Sequence, residues 1–107
     1  MVMNDEIMRI RDIIVDAVPA ERIYLFGSYA YGTPSNDSDY DFYIVLQNDS
    51  VRPIDAIGNA YMAMRGLKRK PADILAGTAE TFKRRSKQIT LERTISQDGV
   101  LLYERGE

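Results

Sequence analysis

"LFGSYAYGTPSNDSDYDFYIVL", residues Leu25 to Leu46, is the stretch that decides the fold. Its first residues close an apolar run, Arg22 to Phe26 (RIYLF), that reads as a strand ending at Gly27. Ser28 to Tyr31 reads as one turn of helix after a tight corner. Gly32 to Ser38 (GTPSNDS) is dense in turn formers and reads as a loop. Asp39 to Leu46 (DYDFYIVL) is then a second strand. Side chains alternate faces along a strand, so Tyr40, Phe42, Ile44 and Leu46 form an apolar face suited to a core. Asp39 and Asp41 share the other face with Tyr43 and Val45. Two carboxylates about 7 Å apart on one strand face repel each other, and the pattern calls for a positive charge beside them.

Outward from this stretch, helix and strand signals alternate. Asn4 to Val18 carries Ile7, Ile10, Ile14 and Val18 at helical spacing, with Asn4 as a cap and Pro19 as a stop. Pro53 to Leu67 reads as a second long helix, with Ile54, Ile57, Tyr61, Met64 and Leu67 on one stripe. Pro71 to Ala76 (PADILA) is a short third strand. Thr78 caps a helix carrying Phe82 and the basic run Lys83 to Arg85. Ile89 to Asp98 is a final helix closed by Gly99, and Val100 to Tyr103 is a terminal strand or extended segment. The order αββαβααβ describes a single α/β (α+β) domain over residues 1–107, with helices packed on a small mixed sheet.

Composition narrows the chemistry. The chain has 107 residues, is 45% apolar, carries a net charge of -2, and contains neither cysteine nor histidine. Disulfides, thiol nucleophiles, cysteine zinc sites and histidine bases are therefore excluded. A near-neutral balance argues against a dedicated nucleic-acid binder, and no direct nucleic-acid partner is expected. The apolar runs are too short to span a membrane, and the first residues lack a signal-peptide core, so a cytoplasmic location is expected. The basic runs Lys68 to Lys70 and Lys83 to Arg85 read first as solvated faces, and second as docking surfaces.

With only hard oxygen ligands available, the natural partner for Asp39 and Asp41 is Mg²⁺ or Mn²⁺. Asp73, in the third apolar strand, is the candidate third carboxylate if that strand lies beside Asp39 to Leu46. Two such ions would suit in-line displacement at phosphorus. Gly27-Ser28 supplies a complementary corner, in which backbone amides and a hydroxyl face an anion. Each feature alone is commonplace: Asp-x-Asp is usually a solvated strand end, and Gly-Ser a turn. An EF-hand reading of Asp37 to Asp41 fails, because Phe42 replaces the required glycine and Asn48 the final glutamate. A P-loop reading fails at Thr33-Pro34, which stand where Lys-Ser/Thr belong.

The combination of Gly27-Ser28, ten intervening residues, Asp39-x-Asp41 and the apolar run to Leu46 resembles the signature of the nucleotidyltransferase superfamily that includes DNA polymerase beta. At this size the chain resembles its minimal nucleotidyltransferases, the MNT family. Pro71 to Leu75 looks like the family's third-aspartate strand, and Ser96 to Glu104 looks like its usual helix-glycine-strand ending. The resemblance implies that Gly27 and Ser28 contact the triphosphate of ATP. It implies that Asp39, Asp41 and Asp73 are catalytic and ligate Mg²⁺, as a two-ion site. One departure stands out: many minimal members have arginine just before the second glycine, where this chain has Tyr31.

Minimal members are often paired with a HEPN ribonuclease toxin, as its antitoxin. The resemblance therefore implies transfer of AMP from ATP to a hydroxyl acceptor, a tyrosine of a HEPN toxin. The alternative is an antitoxin that neutralises the toxin by complex formation without catalysis. The intact set of three aspartates and the Gly-Ser corner favours the enzyme.

Overall fold

The computed structural model describes residues 4–67 and 70–106. A four-stranded sheet in the order β3-β2-β1-β4 organises them. The central strands are β1 (Ala20–Phe26) and β2 (Tyr40–Leu46), paired antiparallel, with β4 (Val100–Glu104) antiparallel on the free side of β1. The third strand, β3 (Ala72–Thr78), runs parallel to β2. Parallel neighbours need a crossover, and α3 (Pro53–Met64) supplies it. The mixed sheet expected from the sequence is thus the sheet observed, and Val100 to Tyr103 is a paired strand within it.

One face of the sheet is covered by α1 (Asp5–Ala17) and α3. Asn4 Oδ1 caps α1 by accepting from the Ile7 N–H at 2.8 Å, and Asp5 and Glu6 suit the positive end of the helix dipole. Ile7, Ile10 and Ile14 are fully buried against Ile23, Leu25, Phe42, Ile44 and Leu46. Each such side chain withdrawn from water contributes roughly 1.5–3 kcal/mol. The predicted inward face of β2 is therefore the core face. The opposite face is covered too. There α4 (Ala79–Arg85) and α5 (Leu91–Asp98) bury Tyr24, Tyr43, Val45, Phe82 and Ile95 as a second, smaller cluster.

Several boundaries move. β1 starts at Ala20, two residues before the expected Arg22, and β3 runs to Thr78 rather than Ala76. Thr78 both ends that strand and caps α4, its Oγ1 accepting from the Thr81 N–H at 3.2 Å. α5 begins after Thr90, whose Oγ1 accepts from the Arg93 N–H at 3.2 Å, so Ile89 lies outside the helix and is exposed. α3 ends at Met64, and Arg65 to Leu67 form a turn through Gly66 at φ 74°.

The expected apolar stripe of α3 is corrected more seriously. Ala56, Ala60 and Met64 are its buried row, whereas Ile54 is 71% and Leu67 60% exposed. Alanines leave room for the helix axis to approach β3 and α1 closely, and that packing overrides the larger side chains on the neighbouring stripe. Tyr61 is half outside the core for a separate reason: its hydroxyl accepts the Ile74 N–H of the edge strand β3 at 2.9 Å. Of the basic run at Lys68 to Lys70, Lys68 and Arg69 lie outside the described residues.

Candidate active site

The parallel pairing of β2 with β3 puts Asp41 opposite Asp73 in register. The ladder starts one residue earlier, at Tyr40 and Ala72, and the Tyr40 N–H donates to the Pro71 carbonyl at 3.1 Å. Asp39 stands just ahead of β2, half-buried, rather than within the strand. Asp41 is half-buried and Asp73 exposed. Burial pushes the Asp41 carboxyl above its usual range, and the neighbouring Asp73 and Asp39 carboxylates push it in the same direction. The three aspartates thus share one electrostatic neighbourhood. Among the described residues, no three acidic side chains stand close enough to enclose an ion as they are placed. Three carboxylates are hard oxygen donors, the class that Mg²⁺ takes.

The corner at Gly27 is built against the same carboxylate. β1 ends at Phe26, which pairs with Asp41 across the antiparallel ladder. Gly27 follows with φ 76° and ψ -158°, a region open in practice only to glycine. A Cβ there would collide with Asp41 Oδ2. Gly27 therefore does more than turn the chain: it leaves the space that the Asp41 carboxylate occupies. α2 (Ser28–Tyr31) starts immediately, and the Ala30 and Tyr31 amides return to the Gly27 carbonyl at 3.0 and 3.1 Å. The first-turn amides at Ser28 and Tyr29 have no helical acceptor. Tyr29 and Ala30 anchor the turn in the core, and the Tyr29 ring packs on Tyr40 at 4.8 Å. Ser28 and Tyr31, three apart, lie on the outer side, with Tyr31 exposed. Gly32 at φ 80° ends the turn.

The loop that delivers Asp39 is braced from within and by Lys70. The Ser35 N–H donates to Ser38 Oγ at 2.8 Å, and the Ser38 N–H to the Ser35 carbonyl at 3.1 Å. Lys70 Nζ donates to the Asn36 carbonyl at 2.9 Å, linking this loop to the start of β3. Asp37 is an exposed turn residue, as its place in the loop suggests.

A polar network two residues along β2 escaped the sequence reading. Tyr43, on the Asp41 face, donates its hydroxyl to Glu92 Oε2 of α5 at 3.0 Å. Arg85 Nε of α4 lies 3.1 Å from Glu92 Oε1, close as an ion pair but misaligned as a hydrogen bond. Burial would raise the Glu92 pKa, but its own backbone amide, the Arg85 guanidinium and the Tyr43 hydroxyl together outweigh it and hold Glu92 below its ordinary value. Tyr43 is pushed well above its ordinary value, first by burial and then by the Glu92 charge. Gly77 of β3 makes room for it, since a Cβ there would lie 2.5 Å from the Tyr43 hydroxyl oxygen. The position of Tyr43 on the aspartate face was visible in the sequence, but its partner 49 residues away was not.

Comparison with known proteins bears on the fold and the family. No curated protein matches the chain. Its fold matches a protein from Sulfolobus solfataricus described as a nucleotidyltransferase, with a TM-score of 0.60 and 20% identity, over 92% of this chain and 78% of that one. It also matches a mutant of the toxin–antitoxin MntA–HpeT, with a TM-score of 0.61 and 17% identity, over 91% of this chain and 71% of that one. A third match is a toxin–antitoxin solved with AMP-PNP, with a TM-score of 0.54 and 20% identity, over 95% of this chain and 75% of that one. At these identities the likeness is one of fold. The family model described as polymerase beta, nucleotidyltransferase, matches residues 9–107. The chain, with its Gly27 corner built against Asp41, belongs to the polymerase beta nucleotidyltransferase family.

Proposed function

We propose that this chain is a Mg²⁺-dependent nucleotidyltransferase that moves AMP from ATP to a hydroxyl, a tyrosine of a partner HEPN ribonuclease toxin. The observation that carries the reading is the register of Asp41 opposite Asp73, with Gly27 packed against the Asp41 carboxylate. The family match supports the transferase class. The fold neighbours that are toxin–antitoxin proteins, one solved with AMP-PNP, support the partner and the nucleotide.

In this reading Asp39, Asp41 and Asp73 hold the cation, and Gly27 and Ser28 hold the triphosphate. When bound, Mg²⁺ would offset the crowded carboxylate charge and stabilise the oxygens on either side of the α-phosphorus. The acceptor oxygen forms a bond to that phosphorus as the bond to the bridging oxygen of pyrophosphate breaks. The acceptor proton passes to Asp73, the exposed carboxylate of the three and the one an incoming protein can reach. Asp41, half-buried on the sheet, is a fixed ligand. The rate gain would come from positioning and charge neutralisation, with no covalent enzyme intermediate.

The test is to mix the protein with ATP, Mg²⁺ and the product of the adjacent gene, then weigh that partner. A mass gain of one AMP residue that vanishes with Asp41→Asn is the expected result. A tight complex with no mass gain, unchanged by that substitution, would instead mark the chain as an antitoxin that acts by occlusion.

A further inference from the structure

On the aspartate face of the sheet, but at its far end, lies a surface pocket of about 660 Å³. Its volume is in the range of small-molecule sites. Arg22, on its wall, pairs in register with Val45, four residues along β2 from Asp41, or about 13 Å at strand rise. The pocket is therefore separate from the proposed nucleotide seat, and Tyr43 stands between them.

The floor is aromatic: Tyr24 and Phe82 stack with centroids 5.5 Å apart. The Arg22 guanidinium lies 5.6 Å from the Phe82 centroid and 6.0 Å from that of Tyr24, and its Nη1 donates to the Tyr24 hydroxyl at 3.3 Å. These contacts hold the guanidinium in place while giving it no carboxylate partner among the described residues. Lys83 contributes a second cation to the same wall, also without an acidic partner among the described residues. Asn48 Oδ1 accepts the Glu80 N–H at 2.9 Å, so its amide orientation is set and both Nδ2 hydrogens remain to be donated. Ser86 and Ser96 also line the wall, their hydroxyls already donating to the Lys83 and Arg93 carbonyls at 2.8 and 3.0 Å. Two cations and an oriented amide exceed what a carboxylate ligand would use, and suit a tetrahedral phosphate. One acid, Glu80, also lines the pocket and disfavours a bare polyanion. It stands on α4 one turn from Lys83, where it can accept from a ligand hydroxyl.

We infer that this pocket binds a small phosphate monoester bearing hydroxyl groups, such as a sugar phosphate, with the phosphate on Arg22 and Lys83 and a hydroxyl on Glu80. The inference is independent of the proposed transferase site. Titrating the isotope-labelled protein with ribose 5-phosphate, in EDTA, tests it by amide chemical shifts. Saturable shifts at Asn48, Glu80, Lys83 and Ser86 are expected, unchanged in Asp41→Asn and weakened about tenfold or more in Arg22→Gln. Should Arg22→Gln disturb the stacked rings, the exposed Lys83→Gln reports the same loss. Inorganic phosphate should bind more weakly than ribose 5-phosphate, and the gap should close in Glu80→Gln. No saturable shifts in this region, or shifts that survive both Arg22→Gln and Lys83→Gln, would overturn the inference.

Discussion

Asp41 and Asp73 stand opposite each other on adjacent parallel strands, with no cation from the chain between them among the described residues. A fold that places like charges in register bears a cost, which Asp39 increases. The raised Asp41 carboxyl says that its ionised form is the disfavoured one. Replacing it by a neutral amide should therefore stabilise the metal-free protein at neutral pH. Thermal melts in EDTA should show Asp41→Asn melting a few degrees above the wild type, with Mg²⁺ narrowing the gap. A lower melting temperature for the variant in EDTA would contradict this.

Gly27 is held by Asp41 as much as by its own backbone. Gly27→Ala places a left-handed alanine against the carboxylate. A loss of about 1–3 kcal/mol in stability is expected from the backbone alone, measured by urea unfolding. Transfer activity should fall with it, since Asp41 must move. A Gly27→Ala protein of wild-type stability would rule out the packing described.

The network at Tyr43 predicts a second stability effect away from the aspartates. Tyr43→Phe leaves Glu92 Oε2 without its donor, and should cost about 1–3 kcal/mol. Gly77→Ala crowds the same hydroxyl and should cost a similar amount. Combining the two should cost less than their sum, because both act on one contact.

How much of this was legible beforehand follows from the range of each interaction. The Asp39 to Leu46 strand announced itself by alternation, and its core face, Tyr40 to Leu46, packs as its pattern implied. The adjacency of Asp73 to Asp41 was conditional on strand order, which local patterns do not specify; the α3 crossover settles it. The stripe on α3 misled because helical periodicity marks apolar residues without saying which will approach a neighbour. Here small Ala56 and Ala60 won over Ile54, and the helix ends before Leu67. The Gly27 contact and the Glu92 network join residues far apart in sequence, and no short-range signal carries them.

High pH should loosen the fold. Tyr40 donates its hydroxyl to Glu6 Oε1 at 2.7 Å and accepts from Asn4 Nδ2 at 3.2 Å. Burial, reinforced by the hydrogen bond to Glu6, pushes Tyr40 from its ordinary 10.0 up to about 12. The fold thus favours the neutral phenol. That stability is fully present below pH 10.0 and is lost as pH rises through about 12. Unfolding monitored by circular dichroism between those values should show a smaller pH dependence in Tyr40→Phe than in the wild type.

The edge strand offers a local test. Tyr61→Phe removes the acceptor of the Ile74 N–H. Hydrogen exchange at Ile74 should accelerate by roughly fivefold, as for loss of one modest hydrogen bond, with little change elsewhere in β3. Unaltered exchange at Ile74 would remove Tyr61 from the support of the Asp73 strand.

The most direct measurement is calorimetric binding of AMP-PNP to the wild type, Asp39→Asn, Asp41→Asn and Asp73→Asn, each with Mg²⁺ and with EDTA. The account requires saturable binding to the wild type that depends on Mg²⁺ and weakens by about tenfold or more in Asp41→Asn. Binding of equal strength in EDTA, or binding indifferent to all three substitutions, would contradict the assignment of these aspartates as the metal-nucleotide seat.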